Sequence, residues 1–204
     1  MRFEKLSSYA AAVGVLLLSG CATTTLVSTW EDPTYTQKID KILVLGMSKN
    51  EGIRTQYEHT LASAITAQGA QAMPAAAYLP SDAEPTRKSV EEAIAGKGFD
   101  TVLVTRLISS TTEQRYVPGT PYVAPAPYYH GFYDYYLNTF PMVYSPGYIV
   151  NDKVVNLETN VYDIESGKLV WAVVSESFNP ENLDKEIDAL SKLIVDQLKK
   201  DGML

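Results

Sequence analysis

The chain has 204 residues, a formal net charge of −7 and a single cysteine. Its length suffices for one domain with a real core. An acidic surface of this kind is poorly suited to nucleic acid or to anionic lipid headgroups, and a lone thiol excludes an internal disulfide framework.

Arg2 and Lys5 give a positive start, and Ala10 through Leu18 form a short, almost unbroken apolar run. The run is about half of the ~20 residues that a bilayer-spanning helix needs, so it reads as a cleavable export signal and not as an anchor. It ends in Leu18-Ser19-Gly20-Cys21. These residues resemble the bacterial lipobox: a branched apolar residue and two small residues ahead of the cysteine whose sulfur receives diacylglycerol. The resemblance to bacterial lipoproteins implies a signal peptide over 1–20 and lipidation at Cys21. Two or more acyl chains hold a membrane far more firmly than one. Ala22 in place of Asp, by resemblance to enterobacterial sorting rules, implies the periplasmic face of the outer membrane. Loss of residues 1–20 removes Arg2, Glu4 and Lys5, a net +1, and carries the charge from −7 to −8.

Residues 21–38 are rich in Thr and Ser and contain Asp32-Pro33. They read as a lipidated tether, able to hold a domain roughly 60 Å from its anchor if fully extended. Leu26 to Trp30 alternates weakly, which leaves open an edge strand lying along the domain, with Trp30 as a packing anchor. The domain proper is expected over 39–204.

Ile42-Leu43-Val44-Leu45, bounded by Gly46, predicts a strand covered on both faces. Ser48 and Glu51 have capping-box spacing, and Ile53, Tyr57, Leu61 and Ile65 recur every fourth residue up to Gly69, which predicts a helix. Ala70 to Met73 is a minor strand, Pro85 to Ala95 a second helix closed near Gly96 and Gly98, and Thr101 to Leu107 another strand. Two apolar strands separated by helices imply a parallel pair with right-handed crossovers. Val155, Leu157, Thr159 and Val161 alternate with polar residues, and Leu169, Trp171 and Val173 return after a turn over Asp163 to Lys168, so the pair is an antiparallel hairpin. A last helix starts near Asn179-Pro180 with the stripe Leu183, Ile187, Leu190, Ile194 and Leu198. The fold class is α/β (α+β): a mixed sheet of about 4–5 strands, two parallel strands with helical crossovers, an antiparallel hairpin and a C-terminal helix.

Between the strands lies an irregular Tyr- and Pro-rich insertion over 116–149 whose only formal charge is Asp134. Connections this long without period are either functional or disordered. Prolines forbid regular pairing, while tyrosines offer flat apolar faces with a hydroxyl, suited to stacking on sugars or gripping a protein. Tyr122, Tyr128, Tyr129, Tyr133, Tyr135 and Tyr136 are the candidate partner-binding residues. The alternative is a partly ordered loop at the tip of a long hairpin, its rings packed on one another or on the sheet.

No catalytic constellation stands out. His59 lies about 240° off the apolar stripe of its helix, a solvated position. His130 and Asp134 are four apart but lack further ligands, so no metal or cofactor is expected. Gly96-Lys97-Gly98 follows a helix instead of preceding one, and Gly46 to Gly52 lacks phosphate-loop spacing. Glu91 and Glu92 are adjacent on a helix and do not face each other across a cleft.

The order of elements resembles that of uncharacterised proteobacterial lipoproteins, on Lys41 to Leu45, Arg54 to Leu61, Gly69, Asp100 to Arg106, Asn156 to Asp163 and Lys168 to Trp171. It is also similar to the small α/β domain of the Tol-system propeller protein, of penicillin-binding-protein activator lipoproteins and of the curli secretion lipoprotein. That resemblance implies no catalytic residue. The expectation is a non-enzymatic, membrane-anchored adaptor whose partner is an envelope protein or peptidoglycan. The rival is a periplasmic hydrolase acting on cell-wall glycan or lipid.

Overall fold

Apolar runs without alternation become strands buried on both sides, and Ile42, Leu43 and Val44 are each at most 1% exposed. The computed structural model describes residues 24–79, 86–119, 131–134, 136–137, 147–180 and 182–204. The elements are β1 (Thr24–Glu31), β2 (Lys41–Met47), α1 (Glu51–Thr66), β3 (Gln71–Pro74), α2 (Arg87–Ile94), β4 (Thr101–Val117), β5 (Tyr148–Asp163), β6 (Leu169–Phe178) and α3 (Leu183–Lys200). Six strands form one mixed sheet in the order β1-β6-β5-β4-β2-β3. β2 is parallel to β3 and β4, and the remaining pairs are antiparallel.

The crossover from β2 to β3 through α1 and the one from β3 back past β2 to β4 through α2 run in opposite directions across the sheet, so their right-handedness places the two helices on opposite faces. On the main covered face, Val44, Leu103, Val161 and Trp171 pack with Tyr57, Leu61 and Ile65 of α1 and with Ile187, Leu190, Ile194 and Leu198 of α3. Each such side chain contributes about 1.5–3 kcal/mol by leaving water. The indole N–H of fully buried Trp171 donates to Asp201 Oδ2 at 2.8 Å, which fixes the end of α3 against β6. Gln56 donates to Asp184 at 2.7 Å and Lys199 to Gln68 at 2.8 Å, so α1 and α3 lie parallel with their N-termini at one end of the domain. At the other end, Asp100 Oδ2 accepts from the Asp40 and Lys41 amides at 2.7 and 2.8 Å and sets the register of β2 on β4.

Several boundaries differ from the sequence expectation. The sixth strand is β1: residues 24–31 pair with β6 as an edge strand, the alternative that the alternation over Leu26 to Trp30 had left open. Trp30 is not a core residue: it stands 48% exposed, paired with Ala172. The cap of α1 is Asn50, whose side chain accepts from the Ile53 amide at 3.1 Å, while Ser48 accepts from the Asn50 amide in the turn before it. α3 begins at Leu183 with Asn182 as its cap, not near Asn179. Asn179 has a left-handed φ of 48°, which Asn tolerates better than most residues, and it ends β6. α2 does carry a reciprocal capping box, from Thr86 and Ser89. Gly96 and Gly98 follow it with φ of 69° and 72°, the helix termination expected of them. His59 is exposed.

One buried charge organises the β2–α1 corner. Glu58 is wholly buried and its Oε1 accepts from the Gly46 amide at 3.0 Å and from Arg54 Nε at 2.9 Å, while Oε2 accepts from the Ala76 amide at 2.6 Å. Arg54 spends a further donor on the Leu79 carbonyl at 3.1 Å. Removing one partner of a buried pair strands the other, a cost of about 3–5 kcal/mol. Glu58→Ala is therefore expected to lower the unfolding free energy by about that amount, read as a shift of the urea midpoint. An exposed Glu51→Ala change should leave the midpoint nearly unmoved.

Candidate functional site

Cys21, Tyr122, Tyr128, Tyr129, Tyr135 and His130 lie outside the described residues. Tyr133 and Tyr136 fall in helical residues 132–134 and 136–137, and both are exposed. They meet through Phe132, whose ring lies edge-on to Tyr133 at 5.4 Å and stacked on Tyr136 at 5.8 Å. Sequence reasoning passed over Phe132 because it counted tyrosines. Its spacing of four from Tyr136, one helical turn, was the available signal.

The two ends of the 116–149 segment are not irregular. β4 and β5 stay paired as far as Tyr116↔Ile149 and Val117↔Tyr148. β2 stops pairing with β4 at Arg106 and β6 stops pairing with β5 at Val154, so the strands beyond continue as a two-stranded ribbon. Tyr116, Tyr148 and Ile149 are exposed at its outer end. Isolated ribbons are marginal, and this one is braced at its root. Arg115 Nε donates to Asp152 Oδ2 at 2.9 Å and Asn179 Nδ2 donates to Asp152 Oδ1 at 2.9 Å. Asn179 also exchanges bonds with the Lys153 backbone, donating its amide at 2.7 Å and accepting at Oδ1 at 2.6 Å. The bonds from Arg115 and Asn179 hold the Asp152 carboxyl below its ordinary value near 3.8.

At the root of the ribbon, the open ends of β2 and β4 and the first turns of α1 and α3 enclose a groove of about 800 Å³. This is where sheets with parallel strands commonly hold ligands. Its walls are apolar: Ile53, Leu107, Leu157, Leu183, Ile187 and Leu190. The floor holds a chain of hydroxyls, Tyr57 to Thr105 at 2.5 Å and Thr105 to Thr159 at 2.9 Å. Burial pushes the Tyr57 phenol well above its usual range, so it keeps its proton at any physiological pH. Gly46 runs close beneath this ring: a Cβ there would stand 3.0 Å from Tyr57 Cδ1. The rim carries Met47, Lys49, Arg106 and Lys153, with Arg106 paired to Glu158. Thr24, the first residue of β1, reaches the groove wall, bonded to Ser177 Oγ at 2.8 Å and Glu186 Oε2 at 2.6 Å. Such a lining is chemically suited to apolar or amphiphilic matter, with a few polar groups to orient it. Among the described residues no three His, Cys, Asp or Glu side chains group to hold a metal ion, and no helix is long and apolar enough to cross a membrane.

No family model and no curated protein matches the chain. Among solved structures it is similar to a PelC dodecamer from Paraburkholderia phytofirmans, at 15% identity and TM-score 0.46 over 84% of this chain and 96% of that one. A second crystal form of PelC from that organism gives 13% identity and TM-score 0.45 over 84% and 95%. The lipoprotein GNA1162 from Neisseria meningitidis gives 15% identity and TM-score 0.41 over 79% and 99%. At such identities function does not pass from one chain to another.

The brace at Asp152 has a pH signature. A carboxyl whose pKa is depressed by folding adds stability above its unfolded value, and that contribution disappears as pH falls through the folded value. Amides 148–153 are thus expected to lose hydrogen-exchange protection as pH drops below about 4, ahead of the amides of β2. Asp152→Asn should weaken their protection at neutral pH and flatten its dependence on acid.

Proposed function

We propose that this chain is an exported lipoprotein, held by lipid on Cys21 at the periplasmic face of the outer membrane, and that its domain works there as a non-enzymatic adaptor or binding module. The observation that carries the reading is in the leader. A short apolar run closes on Leu18-Ser19-Gly20-Cys21, with the chain's one cysteine at the acceptor position. A folded domain follows within a few residues.

The ribbon supplies the contact surface. It leaves the sheet with Tyr116, Tyr148 and Ile149 exposed, and it carries the segment that includes Phe132, Tyr133 and Tyr136. Aromatic residues of this kind gain large contact area at low conformational cost. An envelope protein or the glycan of peptidoglycan is the partner proposed.

Labelled palmitate is expected to enter the wild-type chain and not a Cys21→Ser form, which should also leave the membrane fraction. Equal fractionation of the two forms would sink the anchor. Photo-crosslinkers replacing Tyr133 and Tyr136 should capture a partner in living cells. Capture from Lys192 on α3 alone, with none from the ribbon segment, would remove the ribbon from the binding role.

A further inference from the structure

We infer that the groove end of the domain is a lipid-contacting face, seated on the leaflet that holds the anchor; the inference rests on lipidation at Cys21. The first argument is one of reach. β1 begins at Thr24, three residues after Cys21. At ~3.3–3.6 Å per residue the link spans about 10–11 Å at most. The side chain of Thr24 is itself fastened to Ser177 and Glu186 on the groove wall. An acylated sulfur so close to that wall leaves little room for the domain to stand off from the lipid or to turn this end away.

The second argument is the surface that this short link brings to the leaflet. Met47, Leu107 and Leu183 line the groove and stand 60%, 52% and 47% exposed. Lys49 and Lys153 flank the groove, and their ammonium groups have no ion-pair partner among the described residues. Arg106 is spent on Glu158, and Glu186 accepts from Thr24. Exposed aliphatic side chains bordered by lysines match a bilayer surface, where the apolar groups enter the headgroup boundary and the ammonium groups meet phosphates. The opposite end, with the turn over 163–168 and the end of α3, presents Glu165, Lys168 and Lys200 to solvent. The occupant of the groove mouth is therefore leaflet phospholipid. The ribbon, leaving from the same end, meets its partners close to the membrane surface.

The test uses the full acylated chain, reconstituted into vesicles of phosphatidylethanolamine with a minority of phosphatidylglycerol. Single cysteines replace Met47, Leu183 or, at the far end, Ser166, and each carries an environment-sensitive fluorophore. Co-flotation of chain and vesicles is scored first. The expected result is a blue-shifted emission from positions 47 and 183 that lipid-borne nitroxides quench strongly, with position 166 unquenched. A Lys49→Glu, Lys153→Glu form should float as before and lose most of that quenching. A chain that floats while positions 47 and 183 remain aqueous overturns the seating and leaves the anchor standing. Blue-shifted emission before any vesicle is added, with no quenching afterwards, means that the chain covers its own groove and overturns it equally. A chain that does not float overturns the anchor and the seating together.

Discussion

The carboxylate of Glu58 sits where water does not reach, and three N–H groups from three separate pieces of chain converge on it. A bare carboxylate in such a place is prohibitively expensive, so the fold exists only with Gly46, Arg54 and Ala76 brought to it together. That convergence fixes how β2 ends, how α1 begins and how the chain leaves β3. Tyr57, the residue before Glu58, is thereby set over Gly46 with its hydroxyl on Thr105. The floor of the groove is a by-product of the same corner. Its shape follows from the need to neutralise one buried charge, and only its walls and rim are left for binding.

The rest of the architecture divides the labour between a rigid block and a projecting arm. The block is β2, β4, β5 and β6 with α1 and α3 laid parallel on one face, so that both helices start beside the groove. The arm is the continuation of β4 and β5 beyond their neighbours, with its irregularity between Leu107 and Ser109 at the point of departure. Bulges bend and twist a strand locally, which lets the arm take a direction of its own. Asp152, Asn179 and Arg115 then tie its root to the end of β6. The arm thus has a firm origin.

Much of this was legible in the amino-acid order. The unbroken run at Ile42, the four-residue recurrence through Ile65, the alternation from Val155 and the stripe from Ile187 to Leu198 each impose a period that backbone geometry turns into a single answer. The errors fall where chemistry is degenerate over short distances. Ser48 and Asn50 are both good caps two residues apart, and only the backbone decides which side chain meets the Ile53 amide. Asn179 and Asn182 pose the same choice, and proline after Asn179 favoured the wrong one. The full length of β4 was hidden because Ser109 to Arg115 is polar on both sides, as suits a ribbon wet on both faces. The groove was not legible at all: Leu107, Leu157 and Leu183 read as ordinary core positions, and nothing local says that the helices diverge from the sheet there. Strand β1 was visible only as a weak alternation, because an edge strand with one exposed side needs few apolar residues.

The place of β1 in the sheet has a consequence for how the molecule is assembled. It is the first described element along the chain, yet its sole neighbour is β6, the last strand, and Thr24 meets Ser177. Pairing across so much intervening sequence is the slowest kind to form, since the loop must close before any bond rewards it. Until β6 has formed, residues 24–31 have no strand to pair with. Docking of β1 on β6 therefore comes late, and it is the step that completes the six-stranded sheet.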